Sequence, residues 1–351
     1  MDFDGIILLA KLPGLTSFKT LNSVKKGLGT TKVGHTGTLD SFAQGLLVIC
    51  TGRLTRLAGN ITEFNKSYNA IIKFGEETDT LEYTGKVIKT TPLPTLEQLN
   101  QAIKAHTGTI MQAPPSFSAI HVDGQRSSDL MRSGIQTELP KRKITVFSSE
   151  IIDTKLNADG LVEYAQINFT VSKGTYIRSL ARDIGNFCGS SAHLIGLYRT
   201  SIGNFNINEA AGFNLLPAFT IDNAIKIMEE QKVLIELEQA RIKYNKENNI
   251  RPQKYVPDQA ELDFQEEIRN KKQDFHEDAA ILCGFGIIHL INEEAAIDFE
   301  NGRPIRSKNF DTNLHTLPCS SITAVFTTQK KFAGLIEKDQ TGKIRYKLVI
   351  N

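Results

Sequence analysis

Residues 67–74 carry Tyr68, Ala70, Ile72 and Phe74 at every second position, and Ala165, Ile167, Phe169 and Val171 repeat the pattern a hundred residues on. A period of two puts such side chains on one face of a strand, so both segments read as strands with a buried face. Around them the period changes. Phe18, Leu21, Val24 and Leu28 recur at helical spacing, with Thr16 or Ser17 as N-cap and Gly27 or Gly29 as terminator. Thr95 with Gln98 makes a capping box for a helix carrying Leu96, Leu99 and Ile103, stopped by Gly108. Thr175 can cap another helix, whose Ile177, Leu180, Ala181 and Ile184 form the buried stripe. Ile6 to Leu9 and Leu46 to Ile49 are unbroken apolar runs. Strands interleaved irregularly with helices select an α+β architecture over a regular βαβ order.

The second constraint is a gap. No glycine occurs between Gly212 and Gly284, and the middle of that span is rich in Glu, Lys, Gln and Asn. Residues 220–240 read as helix and 241–278 as a charged insertion or linker. Beyond residue 283 the pattern turns β-like, closing with Phe332–Glu337, a turn at Gln340-Thr341-Gly342, and Ile344–Ile350. We therefore expect a first domain over 1–225, a helical or charged segment over 226–282, and a small β-rich domain, barrel or sandwich, over 283–351. The stretch 113–140 shows prolines, serines and charges with little periodicity, and reads as a long loop, of a length that is usually functional or disordered.

Composition excludes more than it suggests. No apolar run approaches the roughly 20 residues that span a bilayer. The acidic start leads directly into a strand, so no signal peptide is expected, and a cytoplasmic protein is. The four cysteines lie far apart without a Cys-x-x-Cys pair, which argues against a zinc ribbon or a disulfide framework. Net charge is +2, but its distribution is uneven: 22 basic against 18 acidic residues up to residue 213, and 19 against 21 beyond. A mild excess with a cluster at Lys141-Arg142-Lys143 is compatible with RNA binding and does not require it.

Lys32 to Leu47 is the informative segment: a short polar loop presents one carboxylate, Asp40, among glycines just before a buried run. A nucleotide-binding P-loop needs Gly-x-x-x-x-Gly-Lys-Ser/Thr, and nothing here matches. Taken alone, an aspartate in such a place most often caps a turn. However, Lys32-Val33-Gly34-His35-Thr36-Gly37-Thr38-Leu39-Asp40-Ser41-Phe42-Ala43-Gln44-Gly45-Leu46-Leu47 resembles the nucleophile motif of the TruB family of tRNA pseudouridine synthases. Lys11-Leu12-Pro13-Gly14-Leu15-Thr16-Ser17 resembles the family's N-terminal motif. Lys66-Ser67-Tyr68 with Thr78-Asp79-Thr80 and Gly85 resembles a second block, and Pro114 to Ala119 with Asp123-Gly124 a third. Ser172 to Leu180 and Leu197-Tyr198-Arg199-Thr200 with Gly203 complete the set, in the family's order over residues 5–215. Departures are Ser41 for a usual proline, His121 for a lysine, Ser127-Ser128 for a small-aromatic pair, Tyr198 for an arginine and Glu82 for an aspartate.

The resemblance implies the pseudouridine-synthase fold, a mixed and largely antiparallel sheet with flanking helices. It implies isomerisation of uridine 55 in the tRNA T loop, with no cofactor and no metal. A carboxylate is the minimum equipment for breaking and remaking a glycosidic bond within one nucleotide. Asp40 would be the nucleophile, at uracil C6 or ribose C1′. Arg178 would favour its ionised form, and Tyr68 would stack on the flipped base. His35 would fill the gap left by that base, with Lys66 and Leu197 lining the pocket. A loop over 113–140 suits clamping the T arm, because RNA loops are read through shape and splayed bases. The C-terminal piece resembles a PUA-like domain through Asn301-Gly302-Arg303-Pro304 and Phe332-Ala333-Gly334. We expect a monomer that binds tRNA without a membrane or guide RNA.

Overall fold

A computed structural model of the chain describes residues 3–118, 120–122, 124–135, 139–248 and 257–350. Ala119 and Asp123 of the third motif, 136–138 of the expected clamping loop and 249–256 of the charged segment lie outside the described residues.

The chain begins with β1 (Gly5–Lys11) and α1 (Ser17–Leu28), followed by β2 (Val33–His35), β3 (Gln44–Thr51), the short α2 (Ala58–Thr62) and β4 (Lys66–Phe74). A hairpin of β5 (Glu76–Thr78) and β6 (Val87–Thr90) precedes α3 (Leu96–Ala105) and β7 (Gly108–Gln112). Next come a small hairpin, β8 (His121–Val122) with β9 (Gln125–Arg126), and α4 (Ser127–Arg132). The long β10 (Arg142–Leu156) and β11 (Val162–Val171) lead to α5 (Ile177–Phe187), β12 (Ala192–Ile202) and β13 (Phe205–Asn206). Three helices follow: α6 (Ile221–Glu247), α7 (Gln259–Asn270) and α8 (Glu277–Leu282). The chain closes with β14 (Gly286–His289), α9 (Glu293–Glu300), β15 (Ser321–Phe326), β16 (Phe332–Lys338) and β17 (Ile344–Val349).

One sheet runs β1-β3-β12-β4-β11-β10-β7, with β2 on β3 and β13 on β12. Its pairings are antiparallel except for one short parallel junction, where Tyr198 and Arg199 of β12 lie beside Gln44 and Gly45 of β3. That junction carries the site. The sheet separates two apolar clusters. Ile7 and Leu9 face one with α1, α3 and α5; Ile6 and Leu8 face the other, which also contains Ala324, Leu335 and Leu348 of the C-terminal sheet. This explains the unbroken run of Ile6 to Leu9: both faces of β1 are covered. The C-terminal sheet, in order β14-β15-β16-β17, keeps a further cluster of its own around Phe299 and Phe310.

Local chemistry behaves as the sequence suggests at α3, where Thr95 and Gln98 make both bonds of the capping box. Thr16 caps α1 through Lys19 N, and Gly29 ends it at φ 66°. Four expectations change. Phe18 and Leu96 share their helices' apolar spacing yet are exposed, because each lies in the first turn, beyond the packed face. Thr175 does not cap α5; Tyr176 is the capping position, without a side-chain bond. The 113–140 stretch is not a plain loop, since the β8–β9 hairpin and α4 lie within it. The described residues of 241–278 are not a detached linker either. Helix α6 continues to Glu247, while α7 packs on α1, with Ile268 fully buried and Arg269 Nη1 donating to Gly27 O at 3.2 Å. Gln273 then exchanges two backbone hydrogen bonds with Ile6, covering the outer edge of β1. The polar composition of α7 hid a helix with a narrow buried face. No helix among the described residues is long and apolar enough to cross a membrane.

Candidate active site

The loop from Thr36 to Ala43 joins β2 to β3 and is tied down along its length. Thr36 N donates to Val48 O at 3.0 Å. Ser17 Oγ donates to Leu39 O and accepts from Leu39 N, both at 2.9 Å. Thus Thr16 caps the helix while its neighbour clamps the loop. Lys11, at the end of β1, donates through Nζ to the carbonyls of Leu12, Ser41 and Ala43 at 3.1, 3.0 and 2.5 Å. Arg199 reaches from β12 to Leu46 O (2.8 Å), Thr38 O (3.3 Å) and Gly37 O (3.1 Å). Gly45 permits the parallel junction: it sits at φ +116°, and a Cβ there would lie 2.3 Å from Arg199 O.

On this loop Asp40 meets Arg178 of α5 in a fork. Nε donates to Oδ2 at 3.0 Å and Nη2 to Oδ1 at 3.1 Å. Arg178 also donates from Nη1 to Thr80 O at 2.9 Å and from Nη2 to Phe117 O at 3.0 Å. One guanidinium therefore joins the nucleophile motif to the second and third blocks. Its side chain is 8% exposed whereas that of Asp40 is 33% exposed, so the pair is anchored from the protein side and open at the carboxylate. Arg182, one turn later, instead contacts Asp183 and Ala113 O.

Tyr68 on β4 is directly opposite Arg199 across an antiparallel pair, and Leu197 opposite Ala70. Cross-strand partners share a sheet face, which puts Tyr68 on the side from which Arg199 reaches the loop. Tyr68 and Leu197 are both buried. His35 on β2 accepts from Gly37 N through Nδ1 at 3.3 Å; burial, and next the Arg199 charge, hold its imidazole below the usual histidine range. Lys66 turns its ammonium onto Thr62 O (2.5 Å) and Phe64 O (2.6 Å), so it shapes the approach to β4. Burial and then the Arg199 charge bring it down to about 8.

Three groups here had no role from sequence reasoning. Lys11 is lowered to about 7, first by burial, with Asp40 opposing the shift. Glu82 is raised to about 7, by burial and then by the Asp40 charge, against the pull of Arg178. Arg199 is the third, 1% exposed. The available signal was charge in the wrong place: Lys11 ends an otherwise apolar strand, and Arg199 lies within a largely buried one. Among the described residues no group of three or more His, Cys, Asp or Glu side chains is arranged to hold a metal.

Comparison with known proteins gives the fold and the family. The fold is that of the pseudouridine synthases: Cbf5 in a Cbf5-Nop10-Gar1 complex superposes with a TM-score of 0.60 over 99% of this chain and 84% of that one, at 20% identity. The archaeal box H/ACA Nop10-Cbf5 complex gives 0.58 over 98% and 85%, at 19% identity. The model of the TruB family pseudouridylate synthase N-terminal domain matches residues 25–177. tRNA pseudouridine synthase B of Treponema denticola is 46% identical over 243 residues, 65% of this chain and 68% of the relative. The Bordetella avium protein of the same name is 40% identical over 221 residues, 62% and 88%. The chain belongs to the TruB family of pseudouridine synthases.

Proposed function

We propose that this enzyme isomerises uridine 55 in the T loop of tRNA, with Asp40 as nucleophile on a flipped-out base and without a cofactor. Its family makes it a pseudouridine synthase acting on tRNA; the position, the nucleophile and the residue roles are our reading. The observation that carries it is the open fork: a carboxylate held at both oxygens by a sheltered arginine, with its other side free. Held so, the carboxylate needs no reorientation before it reacts.

The reaction breaks N1–C1′, turns the uracil, joins C5 to C1′, and moves the C5 proton off as N1 gains one. Asp40 adds to C6 or attacks C1′. Tyr68 stacks on the base and Leu197 supplies an apolar wall. His35, kept neutral, fills the vacated stack and returns part of the cost of flipping. Lys66 borders the pocket with a sheltered cation. Phe117 O holds Arg178, which ties the 113–140 segment to the nucleophile; that segment clamps the T arm. Residues 1–225 form the catalytic domain, on which α6 and α7 of the 226–282 segment pack, and 283–351 a PUA-like RNA-binding domain. The protein acts as a cytosolic monomer without a guide RNA.

The test is direct. Purified protein is incubated with a bare T-arm hairpin, and pseudouridine is mapped by a base-specific chemical adduct, since isomerisation conserves mass. Modification at the T-loop uridine is expected. A product elsewhere in tRNA would remove the position, and a requirement for added guide RNA would move the enzyme to a guided mode.

A further inference from the structure

Arg199 is among the largest fully buried side chains of the described residues, and none of their carboxylates lies within ion-pair distance of it. A buried, unpaired guanidinium is costly, and for packing alone an apolar residue would do better. What arginine adds is a planar fork of donors, here spent on the diverging carbonyls of Gly37, Thr38 and Leu46.

We infer that Arg199 is a positioning residue for the nucleophile: its guanidinium sets the backbone of the Gly37–Leu39 segment so that Asp40 meets Arg178 in the fork. This rests on the reading of Asp40 as nucleophile. The two carbonyls it draws inward belong to residues 37 and 38, and Ser17 fixes both backbone groups of residue 39. The peptide entering Asp40 is therefore determined from both sides. The other end of the loop is held separately, by Lys11 on the carbonyls of Ser41 and Ala43. Arg199 is also opposite Tyr68 on one flank and beside Gly45 on the other, so one residue spaces the stacking tyrosine from the start of β3. Its charge bears on Lys11, His35 and Lys66, all of them lowered.

The experiment compares Arg199→Lys, Arg199→Met, Asp40→Asn and a remote core control, Phe74→Leu. Each is assayed in single turnover on the hairpin at saturating enzyme, below its own melting temperature, with hairpin Kd measured alongside. Misplacing a reacting group by about 1 Å can cost roughly a hundredfold. Arg199→Met is expected to lose about that factor in rate with Kd within about threefold, and Arg199→Lys to recover part of it. NMR titration of His35 should show its pKa rising in Arg199→Met and unmoved in Phe74→Leu. If Arg199→Met does not fold, Arg199→Lys decides alone: a folded protein with intact Kd and at least a tenfold slower step supports positioning. Folded Arg199 variants with wild-type rates overturn the inference, as does an equal rate loss in Phe74→Leu. An active Asp40→Asn would instead overturn the nucleophile reading itself.

Discussion

The Asp40 loop and the C-terminal sheet hold their chain by the same device and to different ends. Lys11 spends its ammonium on the carbonyls of Leu12, Ser41 and Ala43, and Lys338 spends its own on those of His315 and Leu317, both at 2.7 Å. Both lysines are buried. Each region also has a glycine where strands close in: a Cβ on Gly45 would meet Arg199 O at 2.3 Å, and one on Gly334 would meet Leu348 O at 2.2 Å. Beside the C-terminal sheet the held turn simply places Leu314 in the cluster packed on that sheet. In the first sheet the held loop presents Asp40 to Arg178. Carbonyl-to-cation ties are thus a way of fixing irregular backbone, and chemistry arises only where the fixed segment carries a reactive side chain.

The largest break in this comparison is Asp40→Asn. Single-turnover rate on the hairpin should fall at least about a thousandfold, while tRNA affinity stays within threefold, since phosphates and shape supply binding. A rate within tenfold of wild type removes the nucleophile.

Arg178→Met should come next, losing roughly a hundred- to a thousandfold at neutral pH. Without the guanidinium the carboxylate loses the donors that fix both of its oxygens, so the loss is one of orientation. Arg178→Lys keeps charge but not the fork, and should also be impaired. Equal single-turnover rates in wild type, Arg178→Met and Arg178→Lys would break the pairing and point to Arg182.

The paired lysines sharpen the comparison itself. Lys11→Met and Lys338→Met each leave buried carbonyls unpaired, costing roughly 1–3 kcal/mol in thermal or denaturant melts. Only Lys11→Met should slow the single-turnover step when fully folded. Equal rates for both would mean that fixing the loop ends does not matter to Asp40.

The smallest effects are on stability against pH. Glu82 is raised from 4.5 to about 7, so the folded state holds its proton longer than the unfolded chain does. Stability should therefore fall as pH rises from 4.5 towards 7, and Glu82→Gln should flatten that fall. In the C-terminal domain His289 bonds Glu277 through Nε2 (3.1 Å) and Asp311 through Nδ1 (3.0 Å), and these partners raise it above 6.5. Its contribution is present below pH 6.5 and lost as pH rises through the folded value; His289→Asn should abolish that loss. Melting temperature against pH for the two variants should show the slopes changing in these separate windows.

What local sequence could determine, it did. Alternation identified β4 and β11, side-chain chemistry identified the caps of α1 and α3, and the motifs singled out Asp40 together with the family. These are properties of neighbours in the chain, where period and capping act within a few residues. The motifs also named Arg178, but only tertiary structure brings it to Asp40, 138 residues away, and sends Arg182 of the same helix to Asp183 and Ala113 O. Tertiary structure also decided that α7 covers α1, and that Lys11 and Arg199 serve a loop rather than a solvent face. A cation's destination depends on which carbonyls the sheet order brings within reach. Here that order places β12 between β3 and β4, and the sequence of each strand alone does not contain it.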